Sequence, residues 1–254
     1  MIKFNGVPVE FGQFPNGEAN LPLDIMRVFN SHGVQFLSWF YEDDSEFFKL
    51  ALLAGHIRVE SNRIELDISY MPHSRMDRSN GEFAFALKTA ANLVNAMGFD
   101  SVFIHEPHSD VSMALIDSAC SIEWCMNNID AAIRATKADT VFFPDAGAAK
   151  RYSTSLPYAV GHKMRDFKSG DITSFNLIGD VGDRVLIVDD LCSRGGTFVH
   201  SSKLLREHGA KKVSLLVAHC ENTVFTGELF DHIDLMLTAD FNQLSETRHN
   251  LLKI

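Results

Sequence analysis

No apolar run in this 254-residue chain approaches the ~20 residues a helix needs to cross a bilayer, so a membrane-spanning role is not expected. Cysteine is scarce: Cys120, Cys125, Cys192 and Cys220 are the only four, and no two form a CxxC pair. With no secretory leader ahead of them, reduced thiols and a cytoplasmic setting are the expectation. Lysine and arginine are outnumbered by acids, 23 against 33, and the formal charge of −10 disfavours nucleic acid or an anionic membrane as the main partner. Tryptophan and tyrosine are sparse, two and four residues, against 20 phenylalanines, a balance that assigns rings to packing rather than to surface stacking. There is no GxxxxGK[ST] loop, which disfavours an ordinary P-loop kinase. Low-complexity segments and Pro/Gly-rich linkers are missing as well.

What is present is alternation. Strand-like runs at Ile64–Ser69, Ser101–His105, Thr140–Phe143, Val185–Val188 and Val213–Ala218 are separated by helical patterns. Phe83, Ala86, Leu87, Ala90, Leu93, Val94 and Met97 recur at spacings of three and four, a one-faced helix closed by Gly98. Such βα alternation predicts parallel sheets covered by helices. At 46% apolar content the chain can build one large core or two domains of ~120 residues. The stretch Leu93–His105 matches Leu204–His219 in layout: helix, glycine stop, strand, histidine. That echo supports two related halves, with the boundary placed near residue 120, giving domains over 1–120 and 121–254.

The most informative segment is Arg184-Val-Leu-Ile-Val-Asp-Asp-Leu-Cys-Ser-Arg-Gly-Gly-Thr197. A buried strand is expected over Val185–Val188, ending in the adjacent carboxylates Asp189 and Asp190. A loop with Gly195 and Gly196 leads into a helix from about Thr197 to His208, stopped by Gly209. Two carboxylates accept hydrogen bonds from vicinal ribose hydroxyls. The glycines let backbone N–H groups approach a phosphate at the positive end of the helix dipole. Elsewhere His108 and Asp145 each follow an expected strand, where side chains gather at the carboxyl edge of a parallel sheet. One imidazole and one carboxylate, completed by phosphate and water oxygens, suit Mg²⁺ better than zinc. Lys163 and Arg165 lie in Gly161–Ser174, read as a loop between elements. Alternate residues of an extended segment project to one side, which would bring both cations to one polyphosphate.

These pieces fall in the order of one family. Asp189–Thr197 looks like the signature of the type I phosphoribosyltransferase fold. Over most of its length the chain resembles the ribose-phosphate pyrophosphokinases (PRPP synthetases). Phe14-Pro-Asn-Gly-Glu18 resembles the family's FPDGE element and Pro72-His-Ser-Arg-Met-Asp-Arg78 its PYxxxARQDRK stretch. Glu106-Pro-His-Ser-Asp110 is similar to DLHxxQ, Pro144-Asp-Ala-Gly-Ala-Ala-Lys-Arg151 to SPDAGGxKR, and His162-Lys-Met-Arg165 to the KRR loop.

The resemblance implies an α/β protein of two tandem phosphoribosyltransferase-like domains, each a mainly parallel sheet flanked by helices. It implies an enzyme that moves the β,γ-diphosphate of ATP to the 1-hydroxyl of ribose 5-phosphate and releases AMP. Its ribose-phosphate site would comprise Asp189, Asp190, Cys192, Ser193, Arg194, Gly195, Gly196 and Thr197. Lys163 and Arg165 would stabilise the transferring group from a loop that closes over the nucleotide, a sound arrangement where positioning and charge neutralisation dominate the chemistry. His108 and Asp145 would be the Mg²⁺ ligands. Phe14, Asn16 and Glu18 would hold adenine in a neighbouring subunit's site, which implies a homo-oligomer. Arg75, Met76 and Asp77 would contact the nucleotide, a guanidinium being well matched to a triphosphate.

The chain also departs from the pattern. Asn16 stands for the usual Asp, Met76 for Gln, Glu106 for Asp, and Ser193-Arg194 for Asp-Thr. Exchanging a carboxylate for a guanidinium makes the 5′-phosphate pocket more positive, which suits an acceptor with a diphosphate bridge such as ADP-ribose. The chain starts almost at the FPDGE-like element, so the family's usual first strand and helix are expected to be missing. No regulatory Arg-Gly loop is recognisable around Leu21–Gly33, which argues against allosteric control by ADP and phosphate. Two competitors remain open: a true phosphoribosyltransferase joining a base to PRPP, and a non-catalytic regulatory relative.

Overall fold

The computed structural model describes residues 1–254 except 32, 80, 166–171, 241 and 243; the side chains of 162–175 also lie outside the description. The chain divides into two compact units, Met1–Ile122 and Glu123–Ile254.

In the first unit, β1 (Ile2–Phe4) and β2 (Val7–Pro8) form a small antiparallel hairpin, followed by a second hairpin of β3 (Gly12–Gln13) and β4 (Ala19–Asn20). Next come β5 (Gln35–Trp39), α1 (Glu46–Arg58), β6 (Ile64–Ile68), α2 (Ala86–Ala96), β7 (Ser101–His105), α3 (Asp110–Leu115) and β8 (Ala119–Ile122). The main sheet has the order β2-β1-β5-β6-β7-β8, parallel from β5 to β8. Residues two apart on a strand share a face. Hence Ile64, Leu66 and Ile68 of β6, with Val102 and Ile104 of β7, join Leu50, Leu53 and Ile57 of α1 and Leu87 and Val94 of α2 in one core.

The second unit contains α4 (Trp124–Thr136), β9 (Thr140–Phe143), α5 (Ala146–Arg151), β10 (Tyr158–Arg165) and β11 (Ile172–Ile178). It continues with β12 (Arg184–Cys192), α6 (Gly196–Glu207), β13 (Lys212–Cys220), α7 (Leu229–His232), β14 (Leu235–Thr238) and β15 (Leu251–Lys253). The strand order is β11-β10-β9-β12-β13-β14-β15, parallel except for the β10–β11 pair. Strand β12 sits at the centre, and its run Val185–Val188 is apolar without alternation because both faces are covered. Val185 and Ile187 pack with Phe198 and Leu205 of α6, while Leu186 and Val188 pack with Cys125, Ile129 and Ala132 of α4.

Four expectations need correction. The central strand does not stop before the acidic pair: β12 runs to Cys192, because β13 stays in register with it as far as Cys192↔Cys220. Within Gly161–Ser174, residues 166–171 lie outside the described residues, while the flanking parts belong to β10 and β11, which pair antiparallel through Arg165↔Ile172 with a register shift at Met164/Arg165. Helix α2 begins at Ala86, so Phe83 falls outside it, 61% exposed; Leu93 is 45% exposed, and Ala91 takes the core position instead. Finally, a strand does precede the Phe14 element, since β1 pairs with both β2 and β5. The helix–glycine–strand echo is real in backbone terms: Gly98 and Gly209, with φ of +69° and +104°, each turn a helix toward the next strand.

Ile187 is fully buried in β12. Ile187→Ala should lower the unfolding free energy by roughly 2–5 kcal/mol in a urea titration. The surface change Cys120→Ser should cost less than about 0.5 kcal/mol.

Candidate functional site

In the second unit the parallel register of β9, β12 and β13 brings their carboxyl ends to one edge. Asp189 and Asp190 are the sixth and seventh residues of β12 and lie at that edge. Asp190 is buried and Asp189 half-buried, so neither faces open solvent. The Asp190 amide donates to Asp189 Oδ1 at 3.0 Å, and the Cys125 thiol donates to the Asp189 carbonyl at 3.3 Å. Arg151, the last residue of α5, places Nη1 3.6 Å from Asp190 Oδ2. Asp145 is the N-cap of α5, its Oδ1 accepting from the Ala148 amide at 3.0 Å.

Burial, then the negative charge of Asp190, then that of Asp145, raise the Asp189 carboxyl well above the ordinary carboxylate range. Three acidic side chains therefore act on one another at a single sheet edge. Among the described residues, no group of three or more His, Cys, Asp or Glu is arranged to hold a metal ion.

The chain leaves β12 through a turn that only glycine can make. Gly195 has φ +83°, and a Cβ there would lie 2.9 Å from the Leu229 side chain. Gly195 caps α6 with no side-chain hydrogen bond, and its carbonyl accepts from the Phe198 and Val199 amides. The first amides of a helix have no intrahelical carbonyl to bind and carry the positive end of the dipole, an anion-binding arrangement. No acidic residue occupies the first turn of α6 to compete for that role. Ser193 is anchored by its hydroxyl to Thr223 at 3.1 Å, which in turn donates to Glu221 at 3.2 Å. Arg194 is exposed, and Thr197 is half-buried in the first turn. Lys163 and Arg165 are two residues apart on β10, but their side chains lie outside the described residues.

In the first unit two separated motifs meet. Ser109, the N-cap of α3, donates to Asp77 at 2.7 Å, and Arg78 Nε donates to the same carboxylate at 2.7 Å. Those bonds, Arg78 first, and the nearby His108 hold the Asp77 carboxyl down at about 2. The Arg75–Arg78 stretch and the Glu106–Asp110 stretch are thus one local cluster, with Arg75 exposed and Met76 and His108 half-buried. Phe14–Glu18 forms the connection of the β3–β4 hairpin, where Gly17 has φ +92° and the Asn16 side chain accepts from the Glu18 amide at 3.2 Å. Phe14 is 53% exposed and lines a cleft of 590 Å³ with Phe11, Ser45, Phe48 and Lys49. His108 belongs to the first unit and Asp145 to the second.

Several of these partners were not singled out from the sequence. Arg151 was visible only as the end of a motif, and Ser109 only as a residue within another. Thr223 and Glu221 carry no local signal, because they reach Ser193 across 30 and 28 positions of chain.

No family model matches the chain. Over 222 residues it is 29% identical to a ribose-phosphate pyrophosphokinase of Sulfurisphaera tokodaii, covering 83% of this chain and 76% of that protein. A protein of the same name from Sulfolobus acidocaldarius is 29% identical over 238 residues, covering 89% of this chain and 80% of the relative. The fold is similar to the crystal structure of phosphoribosylpyrophosphate synthetase from Mycobacterium smegmatis, with a TM-score of 0.78 and 20% identity, covering 97% of this chain and 85% of that one.

The raised Asp189 carboxyl has a sign that can be checked. Its cost to the folded state is absent below the ordinary carboxylate range, near pH 4, where the group is protonated folded or unfolded. The cost sets in as pH rises through that range. Asp189→Asn should therefore be more stable than the parent at pH 7 in thermal unfolding, and the gain should vanish below about pH 4.

Proposed function

We propose that this chain, a divergent relative of the ribose-phosphate pyrophosphokinases, is an ATP-dependent diphosphotransferase acting on a ribose 5-phosphate unit. The observation that carries the reading is the edge of the second sheet, where adjacent carboxylates on β12, one buried and one half-buried, run straight into a glycine turn and a helix start. A vicinal diol and a phosphate need those two groups, separated by one short turn.

Asp189 and Asp190 accept hydrogen bonds from the ribose hydroxyls, and Arg151 keeps Asp190 aimed. The amides from Gly195 to Thr197 take the 5′-phosphate. The anomeric 1-hydroxyl oxygen attacks the β-phosphorus of ATP and releases its proton to solvent. The bond from that phosphorus to the α-phosphate oxygen breaks, and AMP leaves. Lys163 and Arg165 on β10 offset charge gathering on the β- and γ-phosphoryl oxygens. Phe14, Asn16 and Glu18 supply a ring face and polar groups for adenine in a neighbouring copy's site, so the working form is a homo-oligomer. Arg75 and Asp77 contribute to the nucleotide site.

The donor set fits Mg²⁺. Asp145 and Asp189 are hard oxygen donors whose mutual repulsion a divalent cation relieves, and too few protein ligands converge for a protein-only cage. Mg²⁺ accepts such sites, taking one or two carboxylates and completing its shell with phosphate and water oxygens. Asp145 would hold it in the second unit, and when bound it supplies neutralisation of phosphate charge. Arg194, exposed beside the turn, extends the reading to an acceptor with a second phosphate, such as ADP-ribose.

Mass spectrometry of products from ATP, Mg²⁺ and ribose 5-phosphate should show AMP and a ribose 1-pyrophosphate. AMP formation with neither ribose 5-phosphate nor ADP-ribose would favour a non-catalytic binder, and consumption of PRPP with a free base would favour a phosphoribosyltransferase. Lys163→Ala should lower kcat by about 100-fold or more with little change in the KM for ribose 5-phosphate. Asp190→Asn should instead raise that KM by roughly tenfold. A kcat/KM for ADP-ribose far below that for ribose 5-phosphate would remove the extended-acceptor reading.

A further inference from the structure

Two buried thiols lie side by side beneath the glycine turn, and the transfer chemistry uses neither. Cys192 ends β12, Cys220 ends β13, and together they are the last matched pair of the ladder between these parallel strands. Ladder partners point to the same face of a sheet, and neighbouring strands run about 4.8 Å apart. That spacing falls inside the range of roughly 4.4–6.8 Å between Cα atoms that disulfides bridge. Both thiols are free; the Cys192 thiol donates to the Ser193 carbonyl at 3.6 Å and the Cys220 thiol to the Glu221 carbonyl at 3.9 Å. The β13–β14 ladder ends at Val217↔Thr238, and beyond it β13 is held by a side chain: the Asn242 side-chain amide donates to the Ala218 carbonyl at 2.8 Å and accepts from the Cys220 backbone amide at 2.9 Å.

We propose that Cys192 and Cys220 form a reversible disulfide that turns off sugar-phosphate binding at the Ser193–Thr197 turn. The inference rests on the reading of that turn as the ribose-phosphate grip. A peroxide is the oxidant. The less buried sulfur, Cys220, attacks a peroxide oxygen and becomes a sulfenic acid as one water leaves. The Cys192 sulfur then attacks the Cys220 sulfur, and a second water leaves. Two S–H bonds and one O–O bond are lost, while one S–S bond and two O–H bonds form. The sulfurs give up two electrons, and the peroxide takes them. A low-molecular-weight thiol reverses the step by exchange.

The bond reaches binding through geometry. A disulfide prefers Cβ atoms about 3.8 Å apart, so closing it pulls the Cβ atoms of this last ladder pair toward each other and tilts the two strand ends. The turn cannot absorb that shift. Gly195 already lies against Leu229, where a Cβ would come within 2.9 Å. The Cys192 carbonyl is bonded to the Glu221 amide at 2.9 Å, and the Ser193 hydroxyl to Thr223 at 3.1 Å. The helix-start amides therefore lose their alignment on the phosphate. The closure strain also makes the bond easy to reduce, as suits a reversible switch.

The test uses the full chain carrying Cys120→Ser, which removes the exposed thiol. Treatment with hydrogen peroxide should lower the intact mass by about 2 Da and yield a peptide joining Cys192 to Cys220. Calorimetric titration should show ribose 5-phosphate binding weakened roughly tenfold or more, and dithiothreitol should restore it. A further Cys220→Ala change should leave binding at the level of the reduced parent and abolish the response to peroxide. Missing crosslink in a protein that binds the sugar phosphate, or a crosslinked protein with unchanged affinity, overturns the switch alone. Failure of the reduced protein to bind ribose 5-phosphate overturns the functional reading and the switch with it.

Discussion

Two neighbouring carboxylates held out of solvent at the edge of a parallel sheet are costly, and the second unit is built around keeping them there. Asp189 feels burial and two like charges at once, and its carboxyl rises accordingly. An isolated strand end would splay and let the pair hydrate. Strand β12 cannot, because β9 and β13 pair with it on either side and helices cover both of its faces. The apolar run Val185–Val188 thus serves the acids that follow it. Arg151 meets one carboxylate from α5, so the site tolerates negative charge without being neutralised.

The same edge explains the rigidity of the turn. A glycine with positive φ pressed against Leu229, a serine tied to Thr223, and a carbonyl tied to Glu221 leave little freedom between the end of β12 and the start of α6. Rigidity of this kind aligns backbone amides on an anion without ordering cost at the moment of binding. In the first unit a smaller cluster follows similar logic. Ser109 at a helix cap and Arg78 both bond Asp77, fixing two distant stretches of sequence into one surface near His108.

Much of the scaffold was legible because parallel sheets write themselves in apolar runs. Thr140–Phe143 and Ser101–His105 coincide with β9 and β7, and the helix after Gly195 follows the dipeptide of glycines. What failed did so for identifiable reasons. The strand through Asp189 and Asp190 looked finished because charges break an apolar pattern, yet backbone pairing to β13 continues regardless of side-chain polarity. The Gly161–Ser174 stretch looked like a loop because its composition is mixed, whereas its β10 half is held by antiparallel pairing to β11. Leu93 matched the helical spacing but is 45% exposed, while Ala91 on the same helix is fully buried. The contacts of Arg151, Thr223 and Glu221 depend on tertiary placement and leave no trace in local pattern.

The most direct measurement compares the affinities of ribose 5-phosphate and 2-deoxyribose 5-phosphate by calorimetry at neutral pH. The phosphate is common to both, so any difference reports the carboxylate grip on the sugar hydroxyls. Loss of one charge-assisted hydrogen bond in a site shielded from water should weaken binding by roughly 1.5–3 kcal/mol, a factor of ten or more. Equal affinities would mean that only the helix start holds the ligand, contradicting a role for Asp189 and Asp190 in binding ribose.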